Sequence, residues 1–357
     1  MFVITNRQID KNAKGIAMFG KRPNEQGPNE LRLLDVKSDN SVKLLGDQLS
    51  TTEVEKLAKR HKLPIDTDAP HYQSLAVACQ LFQRARSEKK PILFFVHGYN
   101  NDVGDVLKAA RELERVYDII VVPFTWPANG GGPLSGTAAY LSDKEDARVS
   151  ATALHRVVQK MQHYHELLVT GLRDRLWQAS IHNCDNIETA KMRFDAKMRK
   201  ECQATLSMLC HSMGNYVLKH ALMPSSSALR SLAFDNIALV AADVNNPGHA
   251  NWLADLPARN RLFVVINEDD GALKWSRRKP GEEQLARLGH HLKNLDAPNA
   301  YYVDVTNNKG VGSAHSYFRA KYVDDNKTLK RIFAQIFGGA DAERALTYRA
   351  DLNVYHS

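Results

Sequence analysis

Leu206-Ser207-Met208-Leu209-Cys210-His211-Ser212-Met213-Gly214-Asn215 is the stretch whose reading decides the fold. An apolar run breaks into a small-His-Ser-x-Gly turn, and Tyr216 to Met223 then reads as a helix. Strand, sharp turn with a central serine, then helix is the layout that presents a serine side chain as a nucleophile. The bend strains the backbone of that serine, so the residues two places either side must be small. Gly214 meets the condition on the helix side, and Cys210 stands on the strand side where a glycine is usual. Five residues alone are weak evidence, and the weight of the reading comes from what surrounds them.

Outward from this turn, short apolar or β-branched runs alternate with helical patterns, which predicts parallel β-α-β units. The candidate strands are Pro91–Val96, Ile119–Phe124, Thr205–Leu209, Ile237–Ala241, Leu262–Ile266 and Tyr301–Val305, with Phe2–Thr5 and Leu31–Val36 as an added antiparallel edge. Leu75, Ala78, Cys79 and Phe82 recur at helical spacing, as do Val103, Val106, Leu107 and Ala110, and Leu329, Ile332, Phe333 and Ile336. Gly338-Gly339 reads as a helix stop. The predicted class is α/β, with a mostly parallel sheet flanked by helices.

About eighty residues separate Phe124 from Thr205, far more than one crossover helix of roughly 10–15 residues needs. Val149–Met161 reads as that helix; Leu168, Leu172, Leu176 and Ala179 then mark a second segment, and Ile187, Ala190, Phe194 and Met198 a third. Residues 162–201 are therefore read as a helical insertion within a single domain spanning 1–357. Two placements are open for it: a cap over the site, with Leu172, Leu176, Phe194 or Met198 near Ser212, or a helical layer remote from the chemistry.

A nucleophilic serine needs a base, an acid to orient the base, and donors for the oxyanion. Strand Leu262–Ile266 runs into Asn267-Glu268-Asp269-Asp270-Gly271, and strand Tyr301–Val305 is followed by a loop holding His315. Ser212, Asp270 and His315 thus follow three core strands in nucleophile-acid-base order. Asp243, in Ala241-Ala242-Asp243-Val244-Asn245, competes for the acid role, with Asp269 and Glu268 behind it; the loop after Ile266 favours Asp270. Upstream, Phe94-Phe95-Val96-His97-Gly98-Tyr99-Asn100 ends a strand in His-Gly. Gly98 lets the loop approach a substrate, and the Tyr99 and Met213 amides are the candidate oxyanion donors. His97, Gly98 and Trp126 are the candidate substrate-binding residues. His211 is expected to pack beneath the turn. The His163/His165 and His290-His291 pairs lack metal-ligand patterns, so neither a metal nor a cofactor is expected. Gly130-Gly131-Gly132 lacks the Lys-Ser/Thr that follows a phosphate-binding glycine loop.

With these pieces in order, the chain resembles the α/β-hydrolase superfamily, and within it a bacterial esterase/lipase-like group catalogued as a domain of unknown function. The motifs carrying the resemblance are Phe94 to Asn100, Thr125-Trp126-Pro127, Tyr140 to Asp143, His211 to Asn215, Asp270 to Leu273 and His315-Ser316-Tyr317. Cys210 departs from the superfamily's glycine. The resemblance implies a serine hydrolase that cleaves a carboxylic ester, from a small-molecule or lipid substrate, through an acyl-enzyme. Thioesterase, amidase and acyltransferase chemistry use the same parts. A non-catalytic interaction module on this fold is the competing class, against which the intact Ser-Asp-His order argues.

The bulk properties fit this reading. The 357 residues are 43% hydrophobic and 25% charged, ordinary for a globular protein. No apolar run approaches the roughly 18 residues of a membrane span, and Met1 to Arg7 lacks the pattern of a secretory leader. Cys79, Cys184, Cys202 and Cys210 have neither metal-site spacing nor disulfide-scaffold density, so a reducing, cytoplasmic compartment is expected. The net charge of +8 is spread along the chain and gives no nucleic-acid signature. Lys274, Arg277, Arg278 and Lys279 follow the acid loop and read as a solvated face, or as a patch for an anionic group on a substrate.

Overall fold

The computed structural model describes residues 1–27, 30–128, 136–182, 184, 186–201, 204–222, 232–278 and 286–357. Cys202, Gly130-Gly131-Gly132 and Lys279 lie outside the described residues. In chain order the strands are β1 (Phe2–Thr5), β2 (Arg7–Ile9), β3 (Phe19–Pro23), β4 (Arg32–Val36), β5 (Val42–Leu44), β6 (Ile92–Val96) and β7 (Ile120–Thr125). They continue as β8 (Leu206–His211), β9 (Asn236–Val240), β10 (Arg261–Ile266), β11 (Ala300–Asp304), β12 (Thr347–Arg349) and β13 (Val354–His356). The longer helices are α1 (Thr51–His61), α2 (Gln73–Glu88), α3 (Val103–Tyr117), α4 (Gly136–Ile181), α5 (Ile187–Glu201) and α6 (Gly214–Leu222). After them come α7 (His249–Leu253), α8 (Gly271–Ser276), α9 (Ala320–Val323) and α10 (Lys327–Phe337).

Eleven strands form one sheet in the order β12-β13-β11-β10-β9-β8-β6-β7-β1-β4-β5. Pairing is parallel from β13 across to β1. Antiparallel pairs close both edges, β12 on one side and β4–β5 on the other. Ile92-Leu93-Phe94-Phe95-Val96 is buried at every position, as a central parallel strand covered on both faces requires. Alternate residues point to opposite faces: Ile92, Phe94 and Val96 join the core beneath α4 and α6, whereas Leu93 and Phe95 join the one beneath α3 and α10.

The predicted core strands are all present within a residue or two. The edge strands β5 and β12, the short β13 beside β12 and the separate β2–β3 pair were not anticipated. From β6 the chain moves outward to β7, then returns to place β8 on the other side of β6. That reversal opens a crevice at the carboxyl ends of β6 and β8, where open parallel sheets bind ligands.

The long connection differs from expectation. Val149–Met161 and Leu168–Ala179 belong to a single 46-residue helix, α4, roughly 70 Å long at 1.5 Å per residue. It starts beside the crevice with Tyr140, crosses α6, and continues past the amino-terminal ends of the strands. There Leu168 packs with Leu63, Leu75 and Cys79, and Arg175 donates to the His61 carbonyl at 3.1 Å. α5 folds back on it, with Phe194 edge-on to Trp177 at 5.5 Å. None of Leu172, Leu176, Phe194 and Met198 lines the cavity at Ser212. The residues named for a cap over Ser212 are therefore placed elsewhere: Phe194 packs against Trp177 of α4, and Leu168 of the same segment against α2. No helix among the described residues is long and apolar enough to cross a membrane.

Candidate active site

Ser212 sits on the bend between β8 and α6 with φ +54°, a left-handed conformation rare for a residue with a side chain. Its amide donates to the Val240 carbonyl, and its carbonyl accepts from Asn215 and Asp243. The Asn215 side-chain amide adds bonds to the carbonyls of Cys210 and Ser212 at 3.1 and 3.0 Å. The strained residue is thus fixed from both sides. A Cβ on Gly214 would stand 2.6 Å from the Val96 carbonyl oxygen, and one on Gly98 would stand 2.6 Å from Ser212 Cβ. Both glycines are steric requirements of the close approach between the loop after β6 and the bend. Cys210 is fully buried and fits where glycine was expected.

The Asp270 and His315 loops follow β10 and β11. His315 Nδ1 donates to Asp270 Oδ2 at 2.7 Å, with Asp270 fully buried and the histidine partly open to the cavity. The other Asp270 oxygen accepts from the Ala272 and Leu273 amides at 2.9 and 3.0 Å, capping α8. Two unforeseen residues hold the loops in place. The Asn267 side chain donates to the Gly312 and Ala314 carbonyls, each at 2.9 Å. Tyr317 is fully buried; its hydroxyl donates to the Val265 carbonyl at 2.8 Å and accepts from the Ala241 amide at 3.1 Å. His211 lies beneath the bend as expected: its Nε2 donates to the His315 carbonyl at 3.1 Å. Burial, then the His315 ring, pushes its pKa well below the ordinary value, so it is neutral.

Asp243 meets different partners. Ser276 and Tyr140 hydroxyls donate to it at 2.6 and 3.0 Å, and the buried Arg287 guanidinium pairs with it at 3.0 Å. The Arg287–Asp243 pair is legible only in three dimensions, because 44 residues of chain separate two groups that no motif connects. Glu268 and Asp269 make no bond to His315; Asp269 donates its amide to Asn267 instead.

Ser212, His315, His97 and Tyr99 line one cavity of about 240 Å³, together with Tyr140, Asp243 and Arg319. The Met213 amide stands at the start of α6, where a helix leaves its first N–H groups without intrahelical acceptors. Trp126 does not line this cavity, a correction to its candidacy for substrate binding. It is fully buried, stacked on His97 with ring centroids 5.2 Å apart, and its indole N–H donates to the His97 carbonyl. His97 in turn donates from Nδ1 to the Gly98 carbonyl and accepts at Nε2 from the Trp126 amide. Both of its nitrogens hold the loop and leave none for a substrate. Arg7, unremarked in the sequence, braces the same loop: it donates to Thr125 Oγ1 and to the carbonyls of Asn101 and Ala128.

Two expected results follow from this packing. Gly98→Ala should fold but slow labelling of Ser212 by a fluorophosphonate on the order of 10²-fold or more, since the new methyl displaces the loop from Ser212; a slowing below threefold with an unchanged Tm would contradict it. The second concerns pH. Burial, with the Arg7 charge, pushes the His97 pKa down to about 3. Below the unfolded value near 6.5 the unfolded chain therefore binds a proton that the folded protein refuses. Stability from this group is complete above pH 6.5 and falls by about 1.4 kcal/mol per pH unit between 6.5 and 3. His165, pushed down to about 4 by burial and Arg259, acts in the same direction. Denaturant unfolding at pH 7.5, 6 and 5 measures the slope, and a flat profile would refute it.

A mostly parallel sheet with helices on both faces, and a serine on a strand-turn-helix bend at the point where strand order reverses, define the α/β-hydrolase fold. Residues 76–169 match the family model described as "Alpha/beta hydrolase of unknown function (DUF900)". That match takes in the Gly98 loop and much of α4 and stops before Ser212. Peptide chain release factor 3 of Nitrosomonas europaea is 30% identical over 95 residues, 27% of this chain and 17% of that protein, so the chain matches less than a fifth of that relative's length. No solved structure matches the chain.

Proposed function

We propose that this chain is a serine hydrolase that cleaves a carboxylic ester through an acyl-enzyme. The observation that carries the reading is the His315–Asp270 hydrogen bond of 2.7 Å, with His315 in the same cavity as Ser212, which stands at φ +54°. Ser212 Oγ attacks the ester carbonyl while His315 Nε2 takes its proton. Asp270, bonded to Nδ1–H, keeps the imidazole in the tautomer that leaves Nε2 free to accept, and stabilises the imidazolium. The negative charge developing on the carbonyl oxygen is met by the Tyr99 and Met213 amides. His315 then gives its proton to the departing alcohol, and a water deprotonated by His315 hydrolyses the acyl-enzyme. A cavity of about 240 Å³, below the roughly 300–1,000 Å³ of drug-sized sites, suits a short acyl group. A fluorophosphonate probe followed by mass spectrometry of the adduct tests the reading. Phosphonylation at Ser212 supports it; an adduct at Ser207 or Ser316, or none, overturns it.

A further inference from the structure

We propose that the protein carries a second ligand site, for an amphipathic carboxylate, in a cavity at the amino-terminal ends of the strands. This cavity measures about 920 Å³ and shares no lining residue with the one at Ser212. It lies where α4 runs past the sheet, so the helix extension that does not reach the catalytic cavity instead walls another. Val77, Leu81 and Phe82 of α2, Val157 and Met161 of α4, and Leu206 at the start of β8 make an apolar body. Its size falls within the range of small-molecule sites, which are mostly apolar with a few convergent polar groups.

Among the polar groups on this lining is Lys160. Its ammonium is half-buried, 4.3 Å from the centre of the Tyr72 ring and 6.0 Å from that of Tyr164. Among the described residues no carboxylate pairs with it. The two acids that line the cavity, Glu30 and Asp47, both pair with Arg32. Arg156, also on the lining, adds positive charge beside Lys160 and makes its charged form more costly. An ammonium drawn out of water without a counter-charge is unfavourable. A carboxylate bound there supplies both the charge and strong charge-assisted hydrogen bonds, while its aliphatic tail covers the apolar walls. That ammonium beside an apolar body matches a negatively charged head on a hydrocarbon chain. A neutral lipid would leave Lys160 unpaired.

The test uses the full-length protein and titration calorimetry with dodecanoate, with dodecanol as the uncharged control. Saturable binding at one site is expected. Lys160→Met, which keeps the aliphatic stem, should weaken dodecanoate about tenfold or more and dodecanol less than about threefold. Ala78→Trp should fill the cavity and remove both, with Leu81→Trp as the alternative blocking variant if the first does not fold. Ser212→Ala should bind as the parent does, which makes the result independent of whether the chain is a hydrolase. The proposal is overturned if dodecanoate does not saturate below roughly 1 mM, if Lys160→Met leaves its affinity unchanged, or if a folded blocking variant still binds.

Discussion

Ser212→Ala is expected to lower hydrolysis of a short p-nitrophenyl ester by on the order of 10⁴ to 10⁶, the loss seen when a nucleophile acting in concert with its base is removed. The size follows from the surroundings, because the nearby hydroxyls among the described residues are engaged elsewhere, those of Ser276 and Tyr140 by Asp243. Ser207 is fully buried within β8, and Ser316 Oγ lies against His211 Nε2 at 3.4 Å. The variant should fold, since the bonds that fix the bend use the backbone of residue 212 and not its hydroxyl. Turnover at saturating ester, alongside covalent labelling by a fluorophosphonate, measures the effect. A variant retaining a tenth of the parent rate would remove Ser212 from the mechanism.

Asp270→Asn should cost about 10⁴ in turnover, because the amide presents the wrong hydrogen-bonding face to His315 and favours the wrong tautomer. The substitution isolates that effect. Asp270 also caps α8, and asparagine is as good an N-cap as aspartate, so the helix loses little. Asp243→Asn tests the alternative acid and should behave in the opposite way. It removes the charge that pairs with buried Arg287, a change expected to cost about 3 kcal/mol of stability. Turnover per folded molecule should remain within tenfold. Measuring Tm and kcat together on the two variants separates the roles: a large kcat loss in Asp243→Asn with Tm unchanged would transfer the orienting role to Asp243.

Much of this architecture was legible in local sequence. A strand buried on both faces shows as an unbroken apolar run, and Ile92–Val96 and Leu262–Ile266 are such runs. The strained serine bend shows as small residues around Ser212, since only they fit between β8 and the loop at Gly98. The helix periods at Leu75, Val106 and Leu329 led directly to α2, α3 and α10. Strands of three residues at or next to the sheet edges, β5, β12 and β13, gave no comparable signal because too few side chains alternate between buried and exposed.

By itself the sequence determined the α/β class and the position of the serine bend, because each depends on residues within about ten positions of one another along the chain. Tertiary structure alone decided which aspartate reaches His315. Asp243 and Asp270 both follow core strands, and their partners, Arg287 in one case and His315 in the other, lie more than forty residues away. It also decided where the long helix goes. The apolar stripe of α4 is equally suited to a lid or a wall, and it lies away from Ser212 because Leu63, Leu75 and Cys79, about ninety to a hundred residues upstream of Leu168, cover its far end. Burial of that face fixes the direction of the helix, and with it the second cavity around Lys160.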